Sequence, residues 1–174
     1  MKHLNPKPGI SSIEPYKGGN HDLLDEGVIN LASNESSIGP SPKAISSIKS
    51  LDYSMNRYPD GSTFLLREAI SGKFNLEVDR ISCGAGSDEL IDILVRSFSG
   101  PNDEVLFSQY GFLMYSIAAR TNGAIPVAAP EYNFKTDVHS ILSSITSRTK
   151  VILIANPNNP TGSYLTKIEL EFLC

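Results

Sequence analysis

At 174 residues the chain is slightly longer than an average domain, enough for one sizeable core and too short for two. Lys plus Arg number 15 and Asp plus Glu 19, a net charge of −4 that excludes the clustered basic footprint of a nucleic-acid binder. An apolar fraction of 40% with 8% aromatics supports a packed core, and no apolar run approaches the roughly 20 residues of a membrane span.

Residues 1–27 carry Pro, Gly and Lys without an apolar period and read as an extended arm lying on a neighbouring surface. Residues 28–32 are a short strand candidate, followed by the polar loop 33–37 and by Gly39-Pro40. Ser41 is placed to cap a helix with Pro42 at its first position, where the missing N–H costs nothing, and Ala44, Ile45, Ile48 and Leu51 supply its apolar face. After the turn Arg57-Tyr58-Pro59-Asp60-Gly61, the residues Leu65, Leu66, Ala69, Ile70 and Phe74 recur at helical spacing, so a second helix begins near Ser62. The grammar then changes. A strand ending at Cys83 runs into Gly84-Ala85-Gly86, and residues 87–99 read as a helix with Leu90, Ile91, Leu94, Val95 and Phe98 inside.

Further on, residues 105–107 read as a strand, 112–122 as a helix closed by Gly123, 125–128 as a strand and 137–145 as a helix. Residues 151–154 form the apolar run best suited to a buried strand, and Thr166 with Glu169 forms the capping box of one more helix. Strands alternating with helices over residues 80–174 predict an α/β fold, a largely parallel sheet covered by helices with ligand loops beyond the carboxyl ends of its strands. Two cysteines, Cys83 and Cys174, cannot build a disulfide framework, and the first residues lack a secretory apolar segment, so a cytoplasmic protein is expected.

Three loops at that carboxyl edge carry chemistry. Gly84-Ala85-Gly86-Ser87 follows a strand and opens a helix, where unbonded backbone N–H groups and the helix dipole favour a phosphate. It is neither a dinucleotide fingerprint nor a P-loop, since Glu89 stands at the last glycine position and no Lys-Ser or Lys-Thr follows. Asp88 and Glu89 in the first turn would repel a phosphate if they pointed at it, and a plain turn capped by Ser87 is the alternative reading. Asn156-Pro157-Asn158-Asn159-Pro160-Thr161-Gly162 fixes backbone with two prolines and offers amides to a ligand oxygen. Between them, Tyr110-Gly111-Phe112-Leu113-Met114-Tyr115 provides either core packing or an aromatic face for a planar ring.

Taken in order and spacing, Leu31-Ala32-Ser33-Asn34-Glu35, Asn56-Arg57-Tyr58-Pro59, Gly86-Ser87-Asp88-Glu89, 112–115 and 156–162 resemble the pyridoxal-phosphate aminotransferases of fold type I. Within them the chain is most similar to the histidinol-phosphate aminotransferase branch. The resemblance implies the large domain of that fold, with residues 1–40 as an N-terminal arm plus first strand and loop, and residues 41–174 as an incomplete cofactor-binding domain. It implies pyridoxal 5'-phosphate as cofactor, held at its phosphate by Gly86, Ser87 and Asp88. Phe112 would stack on the ring, with Tyr110 as the fallback, and Asn159 would hydrogen-bond its phenolic oxygen. Tyr58 would reach the partner's phosphate across a homodimer interface, and Tyr16 and Asn34 would touch substrate. The partners implied are a small amino donor and a phosphorylated keto acceptor, glutamate and an imidazole ketone of histidine biosynthesis.

The lysine that such enzymes bond to their cofactor, and that moves the substrate proton, follows a serine in the family; this chain has no Ser-Lys dipeptide. The family's Asp against the ring nitrogen and Arg for the substrate carboxylate are likewise expected beyond Cys174. No catalytic residue is therefore assigned, and the chain is expected to be inactive by itself, the N-terminal portion of a longer enzyme. Two alternatives remain: another fold type I chemistry, such as an aromatic transaminase or a decarboxylase, or a non-catalytic remnant.

Overall fold

The computed structural model describes residues 5–15, 31, 33–51 and 55–174. The chain divides into two compact units, Glu14–Ile81 and Met1–Ile13 together with Ser82–Cys174. The strand read at 28–32 lies, apart from Leu31, outside the described residues.

In the unit Glu14–Ile81 the described helices are α1 (Pro42–Lys49) and α2 (Phe64–Phe74), neither of which buries a residue. Pro42 takes the first position of α1 as expected, but the Ser41 side chain makes no capping bond. Helix α2 begins two residues after Ser62, because Asp60 organises its entry. The Asp60 carboxylate accepts from the backbone N–H of Ser62 at 2.9 Å and of Phe64 at 3.1 Å. Its pKa is lowered, first by the Ser62 hydroxyl and then by these amides. At the far end Asn75 turns left-handed at φ +54° and the Leu76 N–H returns to the Ser71 carbonyl, a common helix closure.

The other unit contains α3 (Gly86–Phe98), β1 (Glu104–Ser108), α4 (Met114–Thr121), β2 (Ile125–Ala129), β3 (Glu131–Tyr132), β4 (Lys135–Thr136), α5 (Val138–Ser143), β5 (Thr149–Leu153) and α6 (Lys167–Leu173). Strands β2, β1 and β5 form a parallel sheet in that order, with Leu106 opposite Val127 on one side and Ile152 on the other. Parallel neighbours need long crossovers, which the helices supply. All five residues of β1 are buried. Its side chains alternate: Val105 and Phe107 pack with Val95 of α3 and Tyr115, Ala118 and Ala119 of α4, while Leu106 packs with Ile141 of α5 on the opposite face. Completely burying a Val or Leu contributes about 1.5–3 kcal/mol.

Two expectations change here. Residues 151–154, read as a strand suited to burial, form β5 with one edge open in this chain and Ile152 37% exposed, and the strand buried on both sides is β1. The polar ends of β1 concealed it: Glu104 is buried with Thr146, Arg148 and Thr149 donating to its carboxylate, and the Thr146 hydroxyl first, then Arg148, hold its pKa low. Secondly, only Ile91 and Val95 of α3 meet the core, while Leu94 and Phe98 are exposed. The helix read at 112–122 begins at Met114.

Among the described residues of the arm, 5–15, one short turn interrupts an otherwise irregular course. A 3-10 turn, Ile10–Ser12, lies on α4, with Arg120 Nη1 donating to Ser12 Oγ at 3.1 Å.

Helix α6 opens with the predicted capping box, the Thr166 hydroxyl accepting from Glu169 N–H while the Glu169 carboxylate accepts from Thr166 N–H at 2.7 Å. Glu169 also takes a 2.6 Å bond from Lys135 Nζ, tying the helix to β4. The ammonium, then the Thr166 amide, hold its pKa down at about 2. A carboxylate depressed in the fold stabilises above its unfolded pKa, and that contribution disappears as pH falls through the folded value. Urea midpoints of the wild-type chain should therefore fall between about pH 4.5 and 2, and Glu169→Gln should flatten that part of the profile; parallel curves would contradict the assignment.

Candidate functional site

Helix α3 leads through a short turn into β1 and packs on it through Val95, so it runs antiparallel to the strands, and its N-terminus shares the carboxyl edge of the sheet with the loops after β1 and β5. At α3 the alternative reading, a plain turn capped by Ser87, does not hold: Ala85 is the N-cap and no side chain caps the helix. Gly86 stands at φ +83°, where a side chain would be strained, and the space beyond its Cα is open. Its N–H bonds the Gly84 carbonyl at 2.8 Å, and the Ala85 N–H bonds the Glu89 carboxylate at 2.5 Å. An α-helix leaves its first amides without internal acceptors. Two of these, the N–H groups of Ser87 and Asp88, have no acceptor among the described residues, and the Ser87 hydroxyl is also unbonded. Glu89 therefore occupies one donor of the loop and leaves an exposed set of two amides and a hydroxyl.

After β1 the chain makes a tight turn, with Gly111 N–H donating to the Ser108 carbonyl at 2.8 Å. A Cβ on Gly111 would come within 2.9 Å of that same carbonyl oxygen, so only glycine fits the closure. Phe112 follows, half-buried against the core and edge-on to Tyr115 with ring centroids 5.9 Å apart. Tyr110 instead stacks at 5.1 Å on Phe134, so the two aromatics separate, one inward and one outward.

The asparagine loop divides its amides by task. Asn156 clasps Leu165, its Oδ1 accepting from the backbone N–H at 2.8 Å and its Nδ2 donating to the carbonyl at 3.1 Å. Asn158, 5% exposed, donates from Nδ2 to Thr161 Oγ1 at 3.0 Å and to the Tyr110 carbonyl at 3.3 Å. That last bond joins the loop after β5 to the turn after β1. Asn159 is half-buried, and its side chain has no hydrogen-bond partner among the described residues. Both X-Pro bonds of the loop, Asn156-Pro157 and Asn159-Pro160, are cis.

Missing from the sequence reading is the hairpin β3–β4, whose two-residue turn places Asn133 at φ +51° and Phe134 at φ +56°. Such turns require left-handed backbone at both positions, which Asn tolerates and Phe rarely adopts; only Asn133 signalled it. Phe134 is held there by its ring contact with Tyr110 and by Ser163 Oγ, which donates to its carbonyl at 2.9 Å.

The remaining predicted residues divide. Gly86, Ser87, Asp88, Phe112 and Asn159 all belong to the unit built on the parallel sheet. Asn34, exposed at φ +52°, and Tyr58, 97% exposed, belong to the unit Glu14–Ile81, and Tyr16 lies outside the described residues. Among the described residues no three His, Cys, Asp or Glu side chains converge on a metal-sized centre, and no helix is long and apolar enough to cross a membrane.

Helices and sheet so arranged match the large domain of fold type I pyridoxal-phosphate enzymes, and the chain belongs to the aminotransferase class I and II family, whose model matches residues 26–174. It is 51% identical over 171 residues to the histidinol-phosphate aminotransferase of Paramagnetospirillum magneticum, covering 97% of this chain and 47% of that protein. It is 50% identical to the one from Rhodospirillum centenum, covering 92% and 44%. The chain thus spans a little under half the length of these curated relatives. The solved histidinol-phosphate aminotransferase of Sinorhizobium meliloti, in complex with pyridoxal-5'-phosphate, shares the fold with a TM-score of 0.77 at 23% identity, over 81% of this chain and 39% of that one.

The division among the asparagines is measurable by urea denaturation. Asn158→Ala leaves the Tyr110 carbonyl without its donor and should cost about 1–3 kcal/mol. Asn159→Ala should stay within about 0.5 kcal/mol of wild type, and equal losses would show that both amides are structural.

Proposed function

We propose that this chain supplies the phosphate and ring contacts of a pyridoxal 5'-phosphate site in an aminotransferase acting on histidinol phosphate. The observation that carries this reading is the donor set at α3: two N–H groups without acceptors, a free hydroxyl and a positive-φ glycine with open space beside it. A phosphate monoester suits such a set because it accepts several short hydrogen bonds and its charge is favoured at a helix N-terminus. The fit extends to the other loops. Phe112 presents an aromatic ring beside the turn after β1, and Asn159 keeps an amide unengaged beyond β5.

In this reading the cofactor, when bound, supplies the electron sink that lets an amino group leave one substrate and join another. Ser87 and the Asp88 amide anchor its phosphate, Phe112 covers one face of the ring, and Asn159 donates to the phenolic oxygen. Asp88 and Glu89 weaken the cup only if their carboxylates face it, and Glu89 is turned onto the Ala85 amide. The exposed Tyr58 contributes to the phosphate site of a second copy in a homodimer, and Tyr16 and Asn34 meet substrate. Glutamate as amino donor and a phosphorylated imidazole ketone as acceptor complete the reading, which places the reaction in cytoplasmic biosynthesis. The relatives named histidinol-phosphate aminotransferase support this substrate class. The proton-transferring lysine is assigned to none of the lysines of this chain, so catalysis requires groups from elsewhere.

The test uses the chain's 7 tyrosines and lack of tryptophan: quenching of tyrosine emission reports cofactor binding without background from indole. Ser87→Glu should weaken pyridoxal-phosphate binding by about tenfold or more, through lost hydrogen bonds and repulsion. Binding of unphosphorylated pyridoxal should hardly change. Equal pyridoxal-phosphate affinities for the two chains would overturn the phosphate cup.

A further inference from the structure

One carboxylate at the carboxyl edge of the sheet has no part in the contacts assigned so far. Glu131, the first residue of β3, receives two hydrogen bonds on a single oxygen: Oε1 accepts from the Ser108 hydroxyl and from the Tyr110 backbone N–H, the latter at 3.1 Å. Ser108, 3% exposed, is the last residue of the buried central strand, and Thr136 Oγ1 donates to its hydroxyl at 3.0 Å from β4. The backbone of Tyr110 is consequently held at both of its peptide units. Glu131 takes its own N–H, and Asn158 holds its carbonyl. Phe112 is two residues on.

The second oxygen of Glu131 shows that stability is not what this residue is suited to. Oε2 is sealed from water and has no donor among the described residues, an arrangement that costs free energy. The strand connection does not need it either. Gln109 N–H donates to the Ala129 carbonyl at 2.9 Å, Gln109 Oε1 accepts from Glu131 N–H at 3.3 Å, and the Gly111–Ser108 bond closes the turn. What the carboxylate adds is a fixed direction for the Gln109–Tyr110 peptide, at the entry to the turn that ends in Phe112.

We propose that Glu131 is a positioning residue, a carboxylate clamp on Ser108 and Tyr110 that sets the aromatic turn Tyr110-Gly111-Phe112 against the ring of the cofactor. This rests on the reading of Phe112 as the ring's cover. Two substitutions separate the clamp from plain structural support. Glu131→Ala removes the acceptor, whereas Glu131→Gln keeps a carbonyl oxygen able to accept both bonds.

The experiment combines hydrogen–deuterium exchange of the 174-residue chain with tyrosine-quenching titrations of pyridoxal phosphate and pyridoxal. Glu131→Ala should raise exchange of the amides at 109–113 about tenfold while β1 and α5 stay protected. It should weaken both compounds by similar factors, because ring contact is what it disturbs, and Glu131→Gln should restore most of both effects. Ser87→Glu, by contrast, should weaken only the phosphorylated compound. Unchanged exchange at 109–113, or exchange rising evenly through the unit, overturns the clamp. Local exchange with unchanged pyridoxal binding overturns its role at the ring. A wild-type chain that binds neither compound overturns the cofactor reading itself and with it the ring end of this proposal, and the exchange result then decides the clamp alone.

Discussion

Complete burial of the central strand is the constraint on which the rest of the sheet unit depends. Once Val105, Leu106 and Phe107 are covered on both faces, β1 can move neither sideways nor along its axis without opening the core. Its two polar ends are then committed as well. Glu104 is buried with Arg148, Thr146 and Thr149 around its carboxylate, and Ser108 is buried with Thr136 and Glu131 around its hydroxyl. A polar group without water needs partners, so each end of the strand recruits residues from other segments and fixes where they lie.

At the carboxyl end this recruitment makes three loops into one structure. The turn after β1 is tied to the asparagine loop through Asn158 and to the hairpin β3–β4 through Glu131, and the hairpin is tied back to the asparagine loop through Ser163 and Phe134. Loops are usually the mobile part of such an edge. Here the polar atoms of Asn156, Asn158, Ser108 and Ser163 are consumed in holding them, which leaves Asn159 and the first amides of α3 as groups free to meet a ligand. Rigid support behind a small number of unengaged donors is the arrangement that binds with least loss of conformational freedom.

Electrostatics at α3 follow the same separation. Acidic residues in a first helical turn interact favourably with the dipole and compete with an anion for it. Glu89 resolves that competition by folding back onto the Ala85 amide, upstream of the amides that remain open. At the start of α6, Glu169 is engaged by Lys135 and by the amide of Thr166, and it ties α6 to the hairpin strand β4 rather than to a ligand.

Residue pattern by itself determined most local elements of this protein. Apolar spacing located the helices from residue 42 onward and the strands β1, β2 and β5 to within a few residues, whereas the strand read as ending at Cys83 is instead a 3-10 turn, Val78–Arg80, followed by irregular backbone. Thr166 and Glu169 marked the start of α6 correctly, and the glycine and asparagine loops were legible as candidate sites because Gly, Pro and Asn have backbone and amide properties that do not depend on their neighbours. Tertiary structure alone decided the order of the strands, and so made β1 rather than β5 the buried centre. It decided the hairpin, where Phe134 is held left-handed by contacts from residues 110 and 163. It also decided which asparagine is free and what Glu131 does. The physical reason is range: capping and periodicity act within a few residues, whereas the bonds from Tyr110 to Glu131 and Asn158 join positions 21 and 48 apart, and nothing in the spacing of the chain announces them.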